Sequence, residues 1–223
     1  MYNESKTIIK LLKLLEQQKF IKKQIIIVDD CSSDNSLKLI SDYNFNDQFK
    51  IIKHKKNLGK GASIKSAQTF VDGDYVIIQD ADLEYDPQDY MKLLHPIISG
   101  KSDVVYGSRV LNKKRYDKDF TSNFRIFGNH ILTLLSNVIN KQNLTDAHTC
   151  YKVFKSEIFK SIELKHDDFS FCPEITTKIS IMKKEIFEVP ISYSGRSIEE
   201  GKKIRLKDAF LAIYTLIKFR FFD

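Results

Sequence analysis

Three cysteines, Cys31, Cys150 and Cys172, are all that the 223 residues contain, and no Cys-x-x-Cys pair occurs among them. Such spacing argues against both a structural zinc site and a disulfide framework, and a reduced, cytosolic compartment fits it best. No apolar run reaches the length needed to cross a bilayer. The opening residues, with Asn3, Glu4 and Lys6, do not read as a signal peptide. Internal repeats, low-complexity tracts and an obvious interdomain linker are lacking too. The basic residues form no stripe interleaved with aromatics, so nucleic acid is the weakest of the polyanionic partners and is not expected.

What remains is a chain with 42% hydrophobic residues, enough for a sizeable core, and a formal net charge of +7. That charge favours an anionic membrane surface or a phosphorylated small molecule. Apolar runs and helical patterns alternate along the chain. Ile25 to Val28 is a β-branched run that ends in Asp29-Asp30-Cys31-Ser32-Ser33-Asp34, and a helix begins at Leu37. Phe49 to His54 reads as a second strand, Asn57-Leu58-Gly59-Lys60-Gly61 as a turn opening a helix, and Asp86-Pro87 as another helix start. The alternation implies an α/β fold, a mostly parallel sheet with helices on both faces. Residues 111 to 123 read as a loop or lid. The segment from Asp146 to Phe154 reads as extended or turn, Glu174 to Met182 as a helix, and Glu185 to Tyr193 as a late strand. Residues 1–205 form the expected domain, and 206–223 an appended basic amphipathic helix with Phe210, Ile213, Tyr214, Ile217 and Phe221 on one side.

The chemistry centres on Asp80-Ala81-Asp82, where the strand from Tyr75 to Ile78 delivers two carboxylates to its C-terminal edge. In open α/β sheets that edge is where ligands bind. Mg²⁺ and Mn²⁺ take hard oxygen ligands and leave positions open for phosphate oxygens, so the pair suits a metal-diphosphate site. A turn or a helix cap is the alternative.

Tyr2-Asn3-Glu4, Val28-Asp29-Asp30-x-Ser32-x-Asp34, Asn57-x-Gly59-x-Gly61, Asp80-Ala81-Asp82 and Gly107-Ser108-Arg109 stand in this order. With Thr145-Asp146-x-x-Thr149-Cys150-Tyr151-Lys152, Glu188-Val189-Pro190-Ile191 and Gly195-Arg196, they resemble the family 2 glycosyltransferases of the Rossmann-like GT-A fold. The branch most resembled contains dolichyl-phosphate mannose synthase and bacterial polyprenyl-phosphate sugar transferases.

The resemblance implies inverting, metal-dependent transfer of a hexose from a UDP- or GDP-sugar to a polyprenyl phosphate at the cytoplasmic face of a membrane; the basic amphipathic helix at 206–223 suits either peripheral association with an anionic membrane or packing on the domain or a partner subunit. A sugar hydroxyl as acceptor in polysaccharide synthesis is the alternative, and an inactive remnant a third reading. It implies that Tyr2, Glu4, Asp29 and Asp80 frame the nucleotide-sugar pocket, with Asp30 beside Asp29 as a further candidate in the same loop. Asp80, Asp82 and Glu84 become the expected ligands of Mg²⁺ or Mn²⁺, and Arg109, Arg125, Arg196 and Lys203 the expected phosphate contacts. A hydroxyl acceptor needs a base, for which Asp146 and Glu174 are the candidates; Asp82, Arg109, Arg196 and Glu174 make up the expected catalytic set. Members of the family begin with an apolar strand ending in a Pro-x-Tyr-Asn-Glu type motif, whereas Met1 directly precedes Tyr2 here. The central first strand is therefore expected to be missing, which would expose its neighbours' backbone groups and leave the chain poorly stable or inactive.

Overall fold

Strand and helix alternate in the computed structural model much as the residue pattern dictates; it describes residues 1–46, 48–111, 123–196 and 206–222. The chain opens with α1 (Ile8–Glu16), β1 (Gln24–Asp29), α2 (Ser36–Ser41), β2 (Gln48–Lys53) and α3 (Lys60–Gln68). Ile8, Leu11, Leu12 and Leu15 recur at helical spacing, and α1 buries all four. The β-branched run of β1 pairs in parallel with β2, from Gln24 opposite Gln48 to Asp29 opposite Lys53.

A short strand, β3 (Tyr75–Ile77), follows, then a 3₁₀ turn at Pro87–Asp89 leading into α4 (Tyr90–Ile98). The Asp86 side chain accepts from the Gln88 amide and caps that turn, with Pro87 at its first position. Next come β4 (Val104–Ser108), α5 (Asn123–Asn140), β5 (Lys152–Lys155), α6 (Ser156–Ser161), α7 (Phe171–Ile181), β6 (Ile186–Pro190) and α8 (Leu206–Phe221). The loop or lid expected at 111–123 falls almost wholly outside the described residues.

The second sheet has the order β3-β5-β4-β6, with β5 antiparallel to β3 and β4, and β4 parallel to β6. β5 comes from the segment read as extended or turn, because a lysine interrupts its pattern. Lys152 is fully buried, and its ammonium donates to Ala147 O at 2.9 Å and Thr149 O at 2.8 Å and lies 3.9 Å from the centre of the Tyr106 ring. Two carbonyls and a ring face replace the water that a buried cation loses.

The two sheets do not join. β1 pairs with β2 along one edge, and at its other edge Met1 N donates to Val28 O at 2.7 Å while Asp30 N donates to Met1 O at 2.9 Å. Between β1 and β3 lies a cavity of about 440 Å³, walled by Leu12, Leu15, Ile25, Ile27 and Ile77 among others. Among the described residues no strand occupies this interval.

α8 packs against α5 and α7, and its Ala212, Leu216 and Phe219 are buried. The stripe predicted to be its apolar face points outward: Phe210, Tyr214 and Phe221 are 70%, 59% and 66% exposed. Neighbouring α5 does the same, exposing Leu134 and Val138 while burying Thr133, Ser136 and Asn140. No helix among the described residues is long and apolar enough to cross a membrane.

Candidate active site

β3 ends at Ile77, and the chain carries on through buried Ile78 to Asp80 and Asp82, both half-buried at the mouth of the cavity. Leu83, with φ of 62°, turns the backbone, and the Glu84 amide donates to Asp82 Oδ1 at 3.1 Å. Glu84 then fastens a distant segment to this turn: its Oε2 accepts from the Tyr193 hydroxyl and its Oε1 from the Arg196 amide, each at 2.7 Å. Thus anchored, Arg196 reaches two acids at once. Its Nη2 lies 3.0 Å from Asp82 Oδ2 and 2.9 Å from Glu4 Oε1, and its Nη1 donates to Glu4 Oε2 at 3.1 Å.

The two carboxylates of Asp80-Ala81-Asp82 differ electrostatically. Burial pushes Asp82 up to about 6, helped by the charges of Asp80 and Glu84, and Arg196 only partly opposes them. Burial works the same way on Asp80, yet the Lys60 ammonium, 2.5 Å from Oδ1, outweighs it and holds that carboxyl below the usual range. Sequence reasoning passed over Lys60, although it sits between the two glycines of Asn57-x-Gly59-x-Gly61. Those glycines serve a close approach: Gly59 has φ of +104°, and a Cβ on Gly61 would lie 2.3 Å from the His166 carbonyl oxygen.

A second centre lies at the head of β4. Asp146 is fully buried and accepts from Arg109 Nε at 2.6 Å, Arg109 Nη2 at 2.8 Å, the Arg109 amide at 3.1 Å and Asn129 Nδ2 at 3.2 Å. Burial opposes its charge, but this arginine fork brings its carboxyl down to about 2. Glu188 accepts from the amides of Thr145 and Asp146 and so holds the loop that presents Asp146. The Arg109 guanidinium also rests 5.1 Å from the centre of the Tyr193 ring, tying this centre to the Arg196 segment.

Residues 1–163 of the chain match the family described as Glycosyl transferase family 2. The chain belongs to glycosyl transferase family 2. This glycosyltransferase is 28% identical over 237 aligned residues to UDP-N-acetylglucosamine--dolichyl-phosphate N-acetylglucosaminyltransferase of Methanococcus voltae, across 97% of this chain and 92% of that one. It is 27% identical to dolichyl-phosphate beta-glucosyltransferase ALG5A of Trichomonas vaginalis, over 99% of this chain and 71% of the relative. Among solved structures, glucosyl-3-phosphoglycerate synthase from Mycobacterium tuberculosis, in complex with Mn²⁺, uridine diphosphate and phosphoglyceric acid, superposes with a TM-score of 0.74 at 15% identity. That match covers all of this chain and 77% of the other, and the fold is GT-A.

The glycosyltransferase gathers Tyr2, Glu4, Asp80, Asp82, Glu84 and Arg196 around one cavity. Other expected site residues lie elsewhere. Glu174 is fully buried and not on the cavity wall: its oxygens accept from the amides of Lys165 and His166, from His166 Nδ1 and from Lys178 Nζ. It anchors the 165–166 backbone, a role that a lone acid in a helical pattern does not reveal. Asp29, expected in the nucleotide pocket, is fully buried and faces the Ser32 amide at 3.3 and 3.4 Å in a turn. Its neighbour Asp30, the other candidate of that loop, lies on the cavity wall, accepting from the amides of Leu58 and Gly59 and lying 2.7 Å from His54 Nδ1. The Arg125 side chain and Lys203 fall outside the described residues.

Among the described residues no group of three or more His, Cys, Asp or Glu side chains is arranged to hold a metal ion. Glu84 is committed to Tyr193 and the Arg196 amide, which leaves it a scaffold in this arrangement. Asp82 nevertheless fits a hard divalent cation. It is an oxygen donor at a cavity mouth, and its raised proton affinity marks a place short of positive charge. A metal held there needs phosphate oxygens to complete its shell.

Proposed function

We propose that this glycosyltransferase moves a hexose from a UDP- or GDP-sugar to a polyprenyl phosphate at a membrane surface. The observation that carries the reading is the meeting of Asp82, Arg196 and Glu4 at the mouth of one cavity, in a chain whose relatives are named for dolichyl-phosphate sugar transfer. A divalent cation on Asp82 would neutralise charge growing on the departing nucleoside diphosphate. Arg196, already lodged between two carboxylates, supplies a fixed guanidinium for the same charge. Asp146 holds Arg109 in one orientation at the neighbouring centre.

The carboxylates favour a phosphate acceptor. A sugar hydroxyl must lose its proton to a base, and both acids expected for that task are taken, Asp146 by Arg109 and Glu174 by Lys178 and two amides. An acceptor phosphate is anionic at neutral pH and attacks without a base, giving inversion in a single displacement. The outward apolar stripes of α5 and α8 suit the lipid. α5 begins at Asn123 and α8 at Leu206, and Lys218 and Arg220 lie near the end of α8. An apolar face with basic residues near it favours the surface of an anionic bilayer.

Calorimetric titration with UDP and GDP, with and without Mn²⁺, tests the donor half. Expected is binding of one nucleotide that strengthens at least tenfold with Mn²⁺, by about 1.4 kcal/mol, and that Asp82→Asn abolishes. Mn²⁺-independent binding of equal strength in both proteins would refute it. Flotation with vesicles containing anionic lipid tests the surface half, with Leu134→Ser/Tyr214→Ser/Phe221→Ser expected to stay in solution while the parent floats.

A further inference from the structure

On the donor reading above, which it deepens, we infer that Glu4 is a positioning residue: it retains Arg196 at the site when a divalent cation takes Asp82, so that guanidinium and metal do not contend for one carboxylate.

Arg196 and the cation have a claim on the same acid. Asp82 Oδ1 accepts from the Glu84 amide at 3.1 Å, and Oδ2 lies 3.0 Å from Arg196 Nη2. A cation that ligates Asp82 therefore meets a guanidinium already in place, and two positive charges on one carboxylate repel strongly where water is scarce. Glu4 offers the guanidinium the better seat. It takes Nη2 at 2.9 Å and Nη1 at 3.1 Å, one on each carboxylate oxygen, whereas Asp82 faces Nη2. Two-pronged pairing of this kind is both stronger and more directional than a single contact. With Asp82 given over to a metal, Arg196 loses one contact and keeps two.

Glu4 is itself held firmly enough for this task. Its amide donates to Ser36 Oγ at 2.8 Å, its carbonyl accepts from the amides of Thr7 and Ile8 at the start of α1, and its Oε2 accepts from Thr7 Oγ1 at 2.9 Å. The residue is 7% exposed. Arg196 is fixed at its other end, since Glu84 takes the Arg196 amide on Oε1 and the Ser194 amide on its carbonyl. Backbone and fork are thus anchored separately. Between them Arg196 Nε is buried and, among the described residues, has no hydrogen-bond partner. A buried donor without an acceptor is costly, and a phosphate oxygen of the donor substrate is the acceptor that the reading brings to this place. Glu4 acts on the diphosphate through Arg196.

Mn²⁺ titration of the full chain in saturating UDP, followed by the paramagnetic signal of free Mn²⁺, tests this in two backgrounds and needs no turnover. With Arg196 present, Glu4→Gln should weaken Mn²⁺ binding about tenfold, because the released guanidinium turns to Asp82. In Arg196→Met no guanidinium competes there, and adding Glu4→Gln should change the affinity by less than about twofold. Should Glu4→Gln fold poorly, Glu4→Asp keeps the charge and shortens the arm, and a loss of about threefold or more is expected of it with Arg196 present. Equal losses in the two backgrounds would overturn the inference, since Glu4 would then act through its own charge or through the fold. So would undiminished affinity in folded Glu4→Gln, or in Glu4→Asp where that variant is used. A parent protein that binds no Mn²⁺ in the presence of UDP overturns the donor reading, and this inference with it.

Discussion

Asp82→Asn should stabilise the metal-free protein at neutral pH while destroying its capacity to bind a metal-nucleotide. Asp82 is pushed up to about 6 in the fold, against an ordinary aspartate near 3.9. Between those values the folded chain binds more protons than the unfolded one, so stability falls as pH rises through that window. The cost is complete above the folded value and amounts to at most about 3 kcal/mol, taking about 1.4 kcal/mol for each unit of difference. Asparagine keeps the shape and removes the charge, and Arg196 retains Glu4. Urea denaturation of parent and variant at about pH 7.5 and about pH 4, without divalent metal, measures the effect. A gain approaching about 3 kcal/mol is expected at the higher pH and almost none at the lower. A variant less stable than the parent at about pH 7.5, or a gain that ignores pH, would refute the picture of Asp82 as an undercompensated acid.

Asp146→Asn strands the Arg109 guanidinium without its anion, and about 3–5 kcal/mol of stability should be lost, as read by thermal unfolding. Gly61→Ala drives a Cβ against the His166 carbonyl and should lower the melting temperature markedly, whereas Gly128→Ala, in α5 with nothing within 4 Å of the new methyl, should leave it unchanged or raise it slightly.

Much of the fold was legible because its strands are short β-branched runs and its helices strongly periodic. β1, β2, β3 and β6 and the helices α2, α3, α7 and α8 follow from pattern alone. β5 was not legible as a strand, since Lys152 occupies a core position that pattern reading assigns to an apolar residue; two carbonyls and the Tyr106 ring make it tolerable there. α8 was read as amphipathic with its aromatic stripe as one face, but its buried side uses smaller and less conspicuous residues, Ala212 and Thr215 beside Leu216 and Phe219. At the site, Asp80 and Asp82 were identifiable from their place at a strand end, and Arg196 from its motif. Which acids face a ligand and which hold the backbone was not, because Glu174 and Asp29 take their roles from amides supplied by the tertiary structure. Lys60 lay unremarked between two glycines whose need appears only when α3 meets the backbone at 166–167.

The central claim is sugar transfer to a lipid phosphate, and one measurement addresses it most directly. The purified full chain would be incubated with radiolabelled UDP- and GDP-sugars and polyprenyl phosphate in vesicles, with Mn²⁺ or with chelator, and the organic phase counted. Label in the lipid fraction from one donor class, lost in chelator and in Asp82→Asn, is the predicted result. Equal transfer in chelator, or label passing to a soluble sugar hydroxyl acceptor and never to the lipid, would contradict it.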